Sequence, residues 1–450
     1  MPVGEREVLA IDRMGQHGDG VGRGKDGRLV FVPGALPGET VIVEIREEHK
    51  NFMRGVVIDW LARASDRTHP ICPAFGVCGG CVFQHWDYAS EVRYKESRVR
   101  RALRLAGLDA GVVEAIRTCA HPYGYRNKGQ FPFGGQVGQA VLGLYRHGTH
   151  EVVGVQHCDI QDDRVNQVLR RAEAIVNAIA LPPYDEVHGT GIVRHLLIRS
   201  SRLQGQSLVL IVATRHDPRI MTLAQTLLNE VPGVHGVGLN LNPVAGNRVL
   251  GPTTRVLAGE GDIYERILGA TFRLSMTSFF QVNPEQAAVL YEAALACLPE
   301  HVDQILDLYS GVGTLATLAA SKATTVRAVE TNPVAVADAR VNFALNHIDN
   351  VEMNAARAEE LLAQWAKQGK NPPWAIIVDP PRAGLDRHVT KTLQEVRPAQ
   401  IIYISCNPET WARDLAQLAP VYSLQRAVPV DMFPRTDHVE VASCLLLNGN

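Results

Sequence analysis

Along the first sixty residues apolar and polar positions alternate in runs too short for a helix. Arg28–Val32 and Thr40–Ile45 read as strands, separated by the turn-rich stretches GQHGDGVGRGKDG and PGALPGE. Such short strands and frequent turns predict a small five-stranded barrel of the OB type over residues 1–63, a fold that can grip oligonucleotides or serve as a structural cap. Residues 64–265 carry a mixed α+β pattern. A cysteine-rich loop leads into a helix at Asp87–Leu108, followed by strands at Gly191–Ser200 and Ser207–Thr214 and a helix at Arg219–Asn229. From 266 to 450 the pattern becomes regular. Strands Gln304–Tyr309, Thr325–Glu330, Trp374–Asp379 and Gln400–Ser405 alternate with helices Thr314–Ser321, Pro333–Asn346 and Pro408–Leu418. That alternation predicts a doubly wound, Rossmann-like parallel α/β sheet.

Composition narrows the class. Hydrophobic residues are 46% and charged residues 20% of the 450, which excludes a largely disordered chain. No apolar run approaches the ~20 residues of a membrane span, and the N-terminus MPVGEREVLAIDRMG lacks a signal-peptide core. A cytoplasmic enzyme is expected, monomeric by default. The formal charge of −2 disfavours a chain coated with nucleic acid but leaves room for a local basic patch. Between Ala89 and Gln130 nine Lys or Arg face four acids. On charge alone this reads as a solvated helix face.

Four of the eight cysteines are patterned: Cys72, Cys78 and Cys81 as C-x5-C-x2-C, with Cys158 far downstream. In a chain without an export signal, four such thiolates suit zinc or an iron–sulfur cluster. Three close cysteines with a remote fourth favour a cubane over the paired knuckles of structural zinc. Cys119, Cys297 and Cys444 sit in apolar surroundings and read as core fillers.

The chemistry-bearing loops follow the strands of the last region. DLYSGVGTLA runs from a strand end through Gly311 and Gly313 into a helix, and Glu330 ends the next strand nineteen residues after Gly311. This pattern suits a nucleoside-containing cofactor, either a dinucleotide or S-adenosylmethionine. Asp379-Pro-Pro-Arg382 then places a rigid turn at the sheet edge. Cys406 stands at the tip of the following strand, just before Pro408 opens a helix, a position expected to lower a thiol's pKa. Near the end Asp437-His438-Val439-Glu440 brings a carboxylate beside an apolar strand, a candidate general base if it reaches a nucleophilic thiol. A nicotinamide-dependent oxidoreductase would leave DPPR, Cys406 and Glu440 without a role. An amino-group methyltransferase would need an aromatic residue where Arg382 stands, and no thiol. A non-catalytic RNA-binding module would need only the barrel and the basic patch.

The motifs SFFQVNPEQ (278–286), DLYSGVGTL (307–315), DPPRAGL (379–385), SCNPET (405–410) and HVE (438–440) together resemble the RNA uridine-5-methyltransferase family. CPAFGVCGGC (72–81) with Cys158 resembles the 4Fe–4S site of its 23S ribosomal RNA branch, and residues 1–63 resemble its TRAM barrel. The resemblance implies Cys406 as nucleophile and Glu440 as base. It implies Gln281, Tyr309, Thr314, Glu330 and Asp379 around S-adenosylmethionine, and Phe279, with Asp379, against the target base. Arg126 and Lys128 match a basic RNA-contacting motif, and Cys72, Cys78, Cys81 and Cys158 are implied as cluster ligands. The implied substrate is 23S rRNA, with the tRNA T-loop as runner-up. Two positions depart from the pattern: Thr314 replaces the Asn of ribosomal relatives, and Arg357 stands where an Asn or Asp usually contacts adenine, leaving the adjacent Ala358 backbone as a substitute.

Overall fold

A computed structural model describes residues 3–368 and 372–449. Strands Arg6–Met14, Gly20–Arg23, Leu29–Val32, Thr40–Glu48 and Phe52–Ala62 close into a barrel in the order first, second, third, fifth, fourth. Alternation in these strands sends Leu9, Ile11, Val30, Val41, Val43 and Ile45 inward and their neighbours, apolar Val8 and Ile42 among them, outward.

The middle of the chain builds a seven-stranded sheet. Its order is Thr253–Gly259, Val234–Leu241, Gln206–Ala213, Val193–Ser201, Lys128–Gln136, Gln139–Tyr145 and Val152–Gly154. One parallel pair, Gln206–Ala213 with Val234–Leu241, is joined through helix Pro218–Glu230; the remaining pairs are antiparallel. Strand Val193–Ser201 is buried at every position. One face of this sheet packs on helices Asp163–Ala178 and Pro218–Glu230. The other places Leu197, Leu208, Leu210 and Val212 in one core with Ile263, Phe272 and Leu290 of the C-terminal region.

The C-terminal sheet also has seven strands, ordered Val351–Ala355, Ala323–Glu330, Val302–Leu308, Ala375–Val378, Gln400–Ser405, Glu440–Leu447 and Tyr422–Val430. The first five are parallel and the last two antiparallel. Strand order reverses between Val302–Leu308 and Ala375–Val378. Crevices for ligands open at the carboxyl ends of strands at such a switch point. Among the described residues no helix is long and apolar enough to cross a membrane.

Helix Tyr88–Leu105 starts at the Asp87 cap, whose carboxylate accepts from Ser90 N at 2.6 Å. Its apolar stripe, Val92, Val99 and Leu103, joins the core of the C-terminal sheet with Trp411 and Val439. Lys95 on this helix is fully buried and donates to Glu91 Oε1 and Asp431 Oδ1, both at 2.7 Å, and to the Phe433 carbonyl at 3.0 Å. The reading of this stretch as a solvated basic face is therefore corrected for Lys95 and for Arg98, which is bound to Glu409; Arg93, Arg101 and Arg104 stay exposed, and Arg100 pairs with Glu96 of its own helix.

Removing Lys95 takes the cation from between two buried carboxylates, leaving Glu91 to Arg435 and Asp431 to the Tyr88 hydroxyl, and breaking a buried ion pair typically costs about 3–5 kcal/mol. Lys95→Met is expected to lower the midpoint of chemical denaturation accordingly; a change below about 1 kcal/mol would contradict this role for the network.

Candidate functional site

Register builds the site. In the antiparallel pair of Gln400–Ser405 with Glu440–Leu447, Ser405 faces Val441. The next pair along is therefore Cys406 with Glu440, at the carboxyl edge of the sheet. Asp379 ends the adjacent parallel strand at the same edge, and Arg382 reaches over it to bond His438 Nε2 at 2.9 Å. The Arg382 carbonyl accepts from Asn407 Nδ2 at 3.2 Å and Thr410 Oγ1 at 3.1 Å, which ties the DPPR turn to the Cys406 loop.

Electrostatics at this edge are unusual. Burial pushes Asp379 up to about 7, and the nearby Asp307 carboxylate adds to the effect. Glu440 is buried and pushed up to about 8, chiefly by desolvation and then by Asp379, with Arg382 opposing. Cys406, half-buried, rises to about 11, because desolvation, Glu440 and Asp379 outweigh Arg382. The helix N-terminus is expected to lower this thiol's pKa; burial first, and then the two acids beside it, raise it instead. Arg382 is the cation positioned to favour negative charge here. Sequence reasoning noticed it only as a missing aromatic.

On the cofactor side, Glu330 organises the glycine loop. Its Oε2 accepts from Gly311 N at 3.1 Å, and its Oε1 from Thr331 N at 2.7 Å and Asn332 N at 2.8 Å. Oε2 keeps acceptor capacity for a hydroxyl. A Cβ at Gly313 would lie 2.6 Å from the Phe343 ring, so only glycine lets the loop close onto helix Pro333–Leu345. A cavity of about 540 Å³ opens here, lined by Tyr309, Glu330, Ala356, Arg357 and Ala358 among others. The Arg357 side chain is 69% exposed and leans toward Glu359 at 3.8 Å. Thr314 is buried at the start of its helix.

Phe279 is 65% exposed on the loop between Ser275 and Pro284, whereas Gln281 two residues later is buried. Gln281 lies near the phenol of Tyr291, whose pKa is raised by burial and then by Asp379, Glu440 and Asp307. Tyr291 lies in an ordinary helical pattern, and only the fold reveals it at the site. Lys128 lies largely enclosed opposite Arg199 across two strands, its pKa pushed down to about 7 by burial, Arg199 and Arg126. Arg199 Nη2 donates to the Ser278 carbonyl at 2.6 Å, so this pair of cations underlies the Phe279 loop.

The remaining predicted cluster stands apart. Cys72, Cys78 and Cys158 each act electrostatically on Cys81, so the four thiols face a common space. Among the described residues no three His, Cys, Asp or Glu are drawn close enough to hold a metal ion.

A barrel, a central sheet and a doubly wound sheet with a thiol and acids at its switch edge define a barrel-bearing methyltransferase. A family profile described as tRNA (Uracil-5-)-methyltransferase matches residues 262–448, and the TRAM domain profile matches residues 3–58. The chain is 37% identical over 441 residues to an uncharacterized RNA methyltransferase of Caldanaerobacter subterraneus, with 97% of each chain covered. Identity is 35% over 453 residues to one of Halalkalibacterium halodurans, covering 100% of this chain and 99% of that one. The crystal structure of Pyrococcus abyssi tRNA (uracil-54, C5)-methyltransferase in complex with S-adenosyl-L-homocysteine superposes with a TM-score of 0.77 at 25% identity, covering 98% of this chain and 100% of that one. The chain belongs to the family of S-adenosylmethionine-dependent RNA uracil-5-methyltransferases.

Because the folded pKa of Glu440 is raised, the native state favours its protonated form. The stability this contributes is present below about pH 4.5 and is lost as pH rises through about 8. Glu440→Gln is expected to melt higher than the wild type by about 2–4 °C above pH 8, with the gap growing between those limits. A variant that melts lower at every pH would contradict the burial argument.

Proposed function

We propose that this enzyme methylates C5 of a specific uridine in 23S ribosomal RNA, with Cys406 as nucleophile and Glu440 as the base. The observation that carries the reading is the register that sets Cys406 beside Glu440 at the edge shared with Asp379. Carbon 5 of uracil is a weak nucleophile. Attack of the Cys406 thiolate on C6 makes the ring an enolate whose C5 is electron-rich, which divides one hard step into easier ones. S-adenosylmethionine, when bound, supplies the electrophilic methyl group that C5 takes up. Tyr309, Thr314, Glu330 and Gln281 would hold it, Glu330 Oε2 having acceptor capacity left for a ribose hydroxyl and the backbone at Ala358 being available to the adenine in place of a side chain at Arg357.

Asp379, pushed toward neutrality, is able to donate a hydrogen bond to the uracil as well as accept one. The base must leave its stack to reach Cys406, and the exposed ring of Phe279 offers a stacking face worth ~1–3 kcal/mol. Arg126 and Lys128, beside the Phe279 loop, bind RNA phosphate, which restores full charge to Lys128. Arg382 stabilises the thiolate before attack and the enolate after it. Glu440 must give up its proton before it can act, so activity rises as pH climbs through about 8.

The ribosomal substrate rests on the four cysteines. Cys72, Cys78, Cys81 and Cys158 would hold a 4Fe–4S cluster, whose ligand sulfurs stand farther apart than those around a single ion. The loop suits this. A Cβ at Gly79 would press the His147 backbone at 3.3 Å, and Gly80 N donates to Cys78 Sγ at 3.3 Å, as backbone N–H groups do toward cluster thiolates. The tRNA T-loop stays as the second reading because the superposed archaeal relative acts on tRNA.

Incubation with 23S fragments and with tRNA transcripts, followed by nucleoside mass spectrometry, tests both readings. 5-Methyluridine is expected at one site in the 23S RNA and is lost in Cys406→Ala. Product in tRNA alone would overturn the ribosomal assignment.

A further inference from the structure

Glu440 begins its strand after a nine-residue connection, 431–439, which returns from strand Tyr422–Val430 without regular structure. Three successive carbonyls of that connection are held from outside the C-terminal sheet. Lys95 Nζ donates to the Phe433 carbonyl at 3.0 Å. Tyr125 Oη, fully buried, donates to the Pro434 carbonyl at 3.0 Å. The backbone N–H groups of Val82 and Phe83, directly after Cys81, both donate to the Arg435 carbonyl, at 2.8 and 3.1 Å.

Arg435 itself has a φ of 68°, a left-handed conformation that costs a non-glycine residue energy and persists only where surroundings over-determine it. They do so here. Its guanidinium lies over the rings of Tyr88 and Tyr123, at 5.3 and 4.8 Å, and donates to the Trp86 carbonyl at 3.0 Å. Its backbone N–H donates to Glu91 at 2.7 Å. Tyr125 packs in a small core with Cys158, against which Cys81 and Tyr123 also lie. The walls of the four-cysteine site thus touch the connection that ends at Glu440.

We propose that this clamp positions Glu440, so that the cysteine-bearing loop, through the 433–435 carbonyls, governs proton removal from C5. Tyr125 and Arg435 are positioning residues, and the four-cysteine site takes part in the reaction without transferring an electron. The inference rests on Glu440 being the base. In the step concerned, the C5–H proton passes to the Glu440 carboxylate, and its electron pair forms the C5=C6 bond. The C6–S bond breaks and its pair leaves on the Cys406 thiolate. Formation of the earlier S–C6 bond depends on Cys406, which is held by a different strand and by the Asn407 cap of the next helix. His438 of the same connection also bonds Arg382 at 2.9 Å, so loosening the clamp slows the exit from the methylated adduct more than it slows its formation.

The test uses the full-length, iron-loaded enzyme with S-adenosylmethionine and unmodified 23S RNA, quenched in denaturant. Tyr125→Phe deletes one hydrogen bond and keeps the ring. The covalent protein–RNA fraction is expected to rise about 3- to 10-fold, with the rate of its formation falling by less than the rate of its decay. Arg435→Gly, which tolerates the left-handed backbone but lacks the guanidinium, shifts the partition the same way. Adduct and product falling together, at a constant ratio, would overturn the proposal, since simple loss of folded enzyme does that. Hydrogen exchange keeps the clamp testable even if no adduct forms: faster exchange across 436–442 in Tyr125→Phe and Cys81→Ser supports it, and unchanged exchange overturns it. Absence of any adduct in the wild type, even on 5-fluorouridine RNA, would instead sink the Cys406 mechanism.

Discussion

Six residue pairs between strand Gln400–Ser405 and strand Glu440–Leu447 decide where the reacting groups stand. Side chains alternate along a strand, so a slip of one residue would turn Glu440 away from Cys406 and exchange the residues that fill the cores on the two faces. The register is held on both sides. Ile402 and Ile404 pack in one core, Tyr403 and Val441 in another, and Trp411 Nε1 donates to Ser443 Oγ at 3.0 Å across the sheet. Helix Tyr88–Leu105, contributed from far upstream, closes one of these cores and brings the buried Lys95 to Asp431. The juxtaposition of Cys406 and Glu440 is thus a product of long-range packing as much as of local motif.

That packing carries an energetic tension. Asp307, Asp379 and Glu440 are all enclosed, and each is pushed well above its ordinary value. Fully charged, they would repel one another in a poorly solvated space, and burial, with any charge on Glu440 and Asp379, holds the Cys406 thiol above its ordinary value. A site of this kind is quiet until a substrate changes its charge balance. In the proposed mechanism the sulfonium of the methyl donor and the uracil would do that, which ties reactivity to assembly of the complex.

Much of this was legible in the chain. Strand–helix alternation from 304 onward, the glycine loop before Glu330 and the placement of Cys406 before a helix follow from local pattern, and the structure keeps each of them. Edge strand Val351–Ala355 and helix Ala358–Gln368 were not anticipated, because that strand is half polar and largely solvated on the sheet's rim. Lys95 was counted with a basic surface because its partners are one acid on its own helix and another 336 residues away. The same limit hid Tyr291 and Arg199, whose importance arises only where the central and C-terminal sheets meet. Charge partners and pKa shifts depend on contacts across sequence distance, and no local pattern records them.

The central claim is that a Cys406–C6 bond forms and is methylated before the base acts. Fluorine at C5 cannot depart as a cation, so 5-fluorouridine RNA should arrest the enzyme after methyl transfer. Peptide mass spectrometry of the trapped complex is predicted to find the Cys406 peptide carrying a methylated fluorouridine nucleotide, and none in Cys406→Ala. A modified peptide elsewhere, or methylated RNA with no protein bond, would contradict the account.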